Sequence, residues 1–130
     1  MRLMGIDYGE KRIGIALSDE SESFAFAHSV IQNCPICAAL GAAQIKKICK
    51  EQNVAKIILG ESLDYKGKPN PIMKDIERFK KLLEKEVGLP VIYQQEILTT
   101  KEAERLQGKI EKIDASAAAL ILRSYIERQK

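Results

Sequence analysis

Four carboxylates stand where strand–helix proteins tend to place their chemistry. Asp7 follows the apolar run Leu3-Met4-Gly5-Ile6, Glu61 closes the run Ile57–Gly60, Glu96 closes Val91–Gln95, and Asp114 opens an alanine-rich helical segment. Taken singly, Asp7 reads equally well as a turn residue, and Asp114 reads better as a helix cap. If the strands are parallel, however, their carboxyl ends gather on one edge, and several acids then crowd together there. Like charges at short range are costly unless protons or a divalent cation neutralise them. A donor set made only of oxygens favours magnesium or manganese over zinc. Two such ions are a standard means of driving in-line attack of water on a phosphodiester.

The elements that must position these acids follow from the hydrophobic pattern. Leu3–Ile6 and Arg12–Ser18 flank the polar, glycine-containing turn Asp7–Lys11, which predicts an antiparallel hairpin. Phe24–Ile31 gives a third strand. Ala38–Gln52 carries apolar residues at helical spacing with lysines opposite. Ala55–Gly60 is the continuous apolar run of a buried parallel strand. Asp64–Pro71 is a loop, Ile72–Val87 a helix stopped by Gly88, and Pro90–Gln95 a strand. Thr99-Thr100-Lys101-Glu102 fits a capping box opening a helix with Ala103 and Leu106. A final helix spans Asp114–Arg128. A hairpin meander followed by strand–helix–strand units predicts an α/β domain: a mixed five-stranded sheet with helices on both faces. Gly5 and Gly14 leave room for a neighbouring element to approach the sheet closely.

Composition bounds the partners. The 130 residues are 45% hydrophobic and 30% charged, which suits a single globular domain spanning 1–130. No apolar run approaches the roughly 20 residues of a membrane span, and the start does not resemble a signal peptide, so a cytoplasmic protein is expected. A net charge of +3 permits nucleic-acid binding without demanding it. Lys66 and Lys68 share the loop Asp64–Lys68 with Tyr65, a mix that can stack a base and touch phosphates or simply be solvated. The three cysteines argue against a disulfide framework. Cys34 and Cys37 form a lone C-x-x-C which, with Cys49 and His28, supplies four zinc ligands on paper; Cys49, inside a helical apolar stripe, reads better as a small buried residue.

The run Gly5-Ile6-Asp7-Tyr8-Gly9-Glu10-Lys11-Arg12-Ile13-Gly14-Ile15-Ala16-Leu17-Ser18-Asp19 closely resembles the opening of the YqgF (RuvX) family. That family is described as Holliday junction resolvases and, in bacteria, as nucleases maturing the small-subunit ribosomal RNA precursor. Further matches are Gly60 with Leu63 and Gly67, Gly88-Leu89-Pro90-Val91, Leu98–Ala103, and Ile113–Ala118 with Leu120, so the resemblance covers nearly the whole chain. It implies a ribonuclease-H-like fold, a two-metal site of Mg2+ or Mn2+ held by Asp7, Glu96 and Asp114, and a nucleic-acid partner, either an rRNA precursor or branched DNA. It also implies that Lys11 and Arg12 hold backbone phosphates, contacts that position a substrate without reading its sequence. Two departures matter. Gln95-Glu96-Ile97 stands where the family commonly has Asp-Glu-Arg, and Gly60-Glu61-Ser62-Leu63 where it usually has Gly-Leu-Pro-Leu. Glu61 is thereby a candidate to supplement or replace Glu96 in the acidic cluster.

Three other functions compete. An ATP-binding protein of the actin and sugar-kinase type would need two such lobes, and this chain supplies one. A non-catalytic RNA- or DNA-binding module of the same fold is kept open by the departures around Glu96. A C-x-x-C redox protein would show a reactive thiol at Cys34. The sequence leaves monomer and homodimer equally open.

Overall fold

A computed structural model describes residues 1–63, 66–97 and 114–129. The described residues form five strands and three α-helices: β1 (Arg2–Tyr8), β2 (Arg12–Ser18), β3 (Ala25–Gln32), α1 (Ala38–Glu51), β4 (Val54–Leu63), α2 (Met73–Val87), β5 (Val91–Ile97) and α3 (Asp114–Arg128), with a 3₁₀ turn at Pro35–Cys37 before α1. They build one sheet in the order β3-β2-β1-β4-β5. β1, β2 and β3 pair antiparallel, whereas β4 runs parallel to β1, and β5 to β4. The expected mixed sheet is therefore present, with helices on both faces.

The central strands are buried on both sides, which is why β1 and β4 read as unbroken apolar runs rather than alternating ones. On one face Met4, Ile6, Tyr8, Ile57 and Leu59 pack with Ile45 of α1 and with Ile76, Phe79 and Leu83 of α2. On the other, Leu3, Ala16 and Ile58 pack beneath Ala118, Ile121, Leu122, Tyr125 and Ile126 of α3. Gly88, at φ 76°, closes α2 in the left-handed conformation, and its N–H donates to the Glu84 carbonyl at 3.2 Å. The loop between β2 and β3 is pinned by Asp19, whose Oδ1 accepts the N–H groups of Ser23 and Phe24 at 2.8 and 2.9 Å. The Ser21 hydroxyl and those amides lower the Asp19 carboxyl to about 2.

The strands run beyond the apolar residues that reveal them. The expected strands Ala55–Gly60 and Pro90–Gln95 are Val54–Leu63 and Val91–Ile97, because the ladder continues through polar residues, from Gly60 opposite Gln94 to Leu63 opposite Ile97. Glu61 and Glu96 thus lie inside strands, not just after them. Asp7 is likewise the penultimate residue of β1. The helix expected from Thr99, together with Asp64 and Tyr65, falls outside the described residues. Among the described residues no helix is long and apolar enough to cross a membrane.

Gly5 fixes where α3 lies. A Cβ at this position would stand 2.7 Å from the Ala118 carbonyl oxygen and 2.8 Å from the Leu122 Cβ. The expected close approach is thus the packing of α3 on β1. Further along, Lys56 Nζ donates to the Tyr125 hydroxyl at 3.3 Å, and Lys56 pairs with Leu3. α3 thus crosses the sheet from Gly5 of β1 toward Lys56 of β4 and Gln94 of β5, whose Oε1 accepts from Arg128 Nη1 at 3.2 Å. The Gly5→Ala variant should lose about 1–3 kcal/mol through overpacking against a backbone atom. Thermal unfolding would show this as a lowered Tm, and an unchanged Tm would mean that α3 does not sit this close.

Candidate functional site

Along β1, Leu3 and Gly5 meet α3, whereas Met4, Ile6 and Tyr8 enter the opposite cluster. Strand alternation puts Asp7 on the α3 side, two residues beyond Gly5, where it is half-buried. Asp114, the first residue of α3, precedes by four residues the Ala118 that meets Gly5. Glu96 pairs with Ser62 near the end of β5, two strands from β1. The side chains of Glu96 and Asp114 lie outside what the structure describes. Among the described residues no group of three or more His, Cys, Asp or Glu side chains could hold a metal ion.

Glu61 is placed differently from the expectation. It shares strand parity with Ile57 and Leu59, which face α1 and α2. The Tyr93 phenol, packed against that same cluster, is raised first by burial and then by the charges of Glu77, Glu61 and Glu84. Glu61 thus shares the face of Ile57 and Leu59, opposite by strand alternation to that of Asp7. The sequence alone could not show it, because one residue of strand register decides the face.

Two loops supply cations to the same edge. The β1–β2 turn carries Lys11, which is exposed, and leads into Arg12, which is half-buried. This turn is tightly made: the Gly9 N–H donates to the Arg12 carbonyl at 2.9 Å, and a Cβ on Gly9 would stand 2.8 Å from that same oxygen. Asn33, just past β3, holds the turn from outside. Its N–H donates to the Lys11 carbonyl at 2.9 Å and its Nδ2 to the Gly9 carbonyl at 2.7 Å. The second loop follows β4 and carries Lys66 and Lys68, both exposed. Asn70 ties it back, donating from its N–H to the Ser62 carbonyl at 3.0 Å and from Nδ2 to Ser62 Oγ at 2.9 Å. Neither asparagine was singled out from the sequence. Both sit among loop residues, where asparagine is common and carries no signal of the loop it will fasten.

The four-ligand zinc set does not assemble. Cys34 and Cys37 are bonded to each other, with Cα atoms 5.1 Å apart. Cys49 is buried in the core, 4.0 Å from Met4 Sδ, and burial raises its thiol to about 11. Its reading as a small core residue is correct.

Against this geometry, the chain matches the RuvX family, described as Holliday junction resolvase, over residues 1–128. The chain belongs to the RuvX family. Its similar relatives include two proteins named "Putative pre-16S rRNA nuclease". One, from Syntrophomonas wolfei, is 36% identical over 135 residues, covering 98% of this chain and 94% of the relative. The other, from Caldanaerobacter subterraneus, is 34% identical over 139 residues, covering 100% and 99%. Among solved structures, RuvC from Thermus thermophilus in complex with a Holliday junction substrate superposes with a TM-score of 0.60 at 17% identity, covering 99% of this chain and 95% of that one. The fowlpox virus Holliday junction resolvase gives 0.60 at 17% identity, covering 98% and 99%. These structures establish the ribonuclease-H-like fold of this RuvX-family chain, and the family is one of nucleases.

The placement of Glu61 is open to a direct check. Replacing it with glutamine should lower the Tyr93 phenol titration, read from its assigned ring resonances, because one of three acidic neighbours that disfavour the phenolate is gone. An unshifted Tyr93 would put Glu61 elsewhere and reopen its place beside Asp7.

Proposed function

We propose that this chain is a divalent-metal-dependent nuclease that hydrolyses phosphodiester bonds in structured nucleic acid, acting in 5′-end maturation of pre-16S rRNA or in cleavage of Holliday-junction-like DNA. The observation that carries the reading is the common edge. Parallel β1, β4 and β5 end there, with Asp7 on the face that α3 covers, in a chain whose relatives are named nucleases. Asp7, Glu96 and Asp114 would hold Mg2+ or Mn2+. Their oxygen-only donor set suits a hard cation. Such ions, when bound, polarise the scissile phosphate and lower the pKa of water.

The remaining work falls to the protein itself. Lys11 and Arg12, on a turn stiffened by Gly9 and Asn33, hold backbone phosphates, and Lys66 and Lys68 extend that grip along the edge. Glu96 and Asp114 keep the attacking water in line with the phosphate. Contacts of this kind recognise backbone shape, which suits a folded RNA or a branched DNA better than a particular base sequence.

One observation favours a second reading. Gln95 and Ile97 flank Glu96 within β5, where the family commonly has an acid and an arginine, so the same surface could bind nucleic acid without cutting it. Incubating the purified protein with pre-16S rRNA and with a four-way DNA junction, each with manganese and again in EDTA, separates the two. Cleavage of one substrate with manganese is expected, reduced at least on the order of 100-fold by Asp7→Asn, since even residues that only orient metal ligands are worth 10–100-fold. Binding in EDTA with no cleavage after manganese is restored would establish the binding module instead.

A further inference from the structure

We propose that Cys34 and Cys37 form a reversible thiol–disulfide site, and that its oxidation state sets how firmly Asn33 holds the β1–β2 turn. The two cysteines bracket the step from β3 into α1. Cys34 follows Asn33 directly, and Cys37 is the residue at which the 14-residue α1 begins. The pair lies at the surface: Cys34 is exposed, Cys37 is half-buried, and Ile36 between them is 98% exposed. A reductant can therefore reach the bond without the core opening. No acidic residue occupies the first turn of α1, and no side chain caps it. A thiolate released at Cys37 would thus meet the positive end of the helix dipole, a setting that makes it a good leaving group.

The exchange balances as follows. A dithiol reductant attacks the exposed Cys34 Sγ through one thiolate. The Cys34–Cys37 bond breaks, a mixed disulfide forms on Cys34, and Cys37 leaves as a thiolate that takes up a proton. The second thiol of the reductant then attacks its own sulfur in the mixed disulfide and expels Cys34, which is protonated in turn. Two electrons and two protons have passed to the pair, and the reductant carries the new disulfide.

The fold survives this step. The Cys37 N–H donates to the Cys34 carbonyl at 2.9 Å without involving either sulfur, and α1 is anchored through Gly41, Ala42, Ile45 and Cys49. What changes is the covalent tie between that anchored helix and the residue next to Asn33. Asn33 is the outside support of the turn, through Lys11 at 2.9 Å and Gly9 at 2.7 Å. An oxidised pair therefore keeps Asn33 seated, and a reduced pair lets it move. Any effect on nucleic-acid affinity through Lys11 and Arg12 rests on the nuclease reading above; the redox site and its hold on the turn do not.

The full chain tests this without any substrate. Native protein is equilibrated in buffers of reduced and oxidised dithiothreitol, quenched with an alkylating reagent and weighed by mass spectrometry. In reduced buffer two labels are expected, on Cys34 and Cys37, with none on Cys49. In oxidised buffer the labels should vanish again. Amide hydrogen exchange on the same samples should be several-fold faster at Asn33 and Gly9 after reduction. A Cys34→Ser/Cys37→Ser variant should exchange like the reduced protein in either buffer. A pair that cannot be reduced unless the protein is unfolded, or that does not re-form in oxidised buffer, overturns the redox site. Equal exchange at Asn33 and Gly9 in both states overturns its link to the turn. Neither outcome depends on whether the protein cleaves nucleic acid.

Discussion

A glycine Cα and a backbone carbonyl set the position of α3: adding one carbon to Gly5 would bring it within 2.7 Å of the Ala118 oxygen. That contact fixes how deeply the helix sits on the sheet. Parallel pairing draws the carboxyl ends of β1, β4 and β5 to one edge. Asp7, Glu96 and Asp114 are far apart along the chain.

The sheet also sorts charge by face. Asp7 lies on the side covered by α3, while Glu61 shares the other side with Glu77 and Glu84 around the Tyr93 phenol. Two carboxylates in neighbouring strands are thereby kept apart by the sheet itself, which limits the repulsion each would otherwise impose on the other. The cations are arranged separately, on loops that leave the same edge and that asparagines fasten to the strand ends.

Much of this was legible in the residues. The hairpin around Asp7–Lys11, the buried parallel strand at 55–60, the helix ended by Gly88 and the last helix from Asp114 all follow from periodicity and turn chemistry, because in each case local pattern and burial agree. The close packing at Gly5 was legible for the same reason: a glycine within an apolar strand has few other uses. The ends of β4 and β5 were not, since ladder hydrogen bonds continue through Glu61, Ser62, Gln95 and Glu96 without any apolar signal. That extension put Glu61 in register with Leu59 and so on the far face. Asn33 was hidden because its partners are backbone carbonyls of another loop, which leave no mark on side-chain composition.

The central claim is that the edge where β1, β4 and β5 end captures a hard divalent cation. Anomalous diffraction from crystals of the protein grown with manganese tests it most directly. The account predicts a manganese peak in contact with the Asp7 carboxylate, with Glu96 or Asp114 completing its ligands. A peak at Glu61 with none at Asp7, or no peak at that edge at saturating manganese, would contradict it.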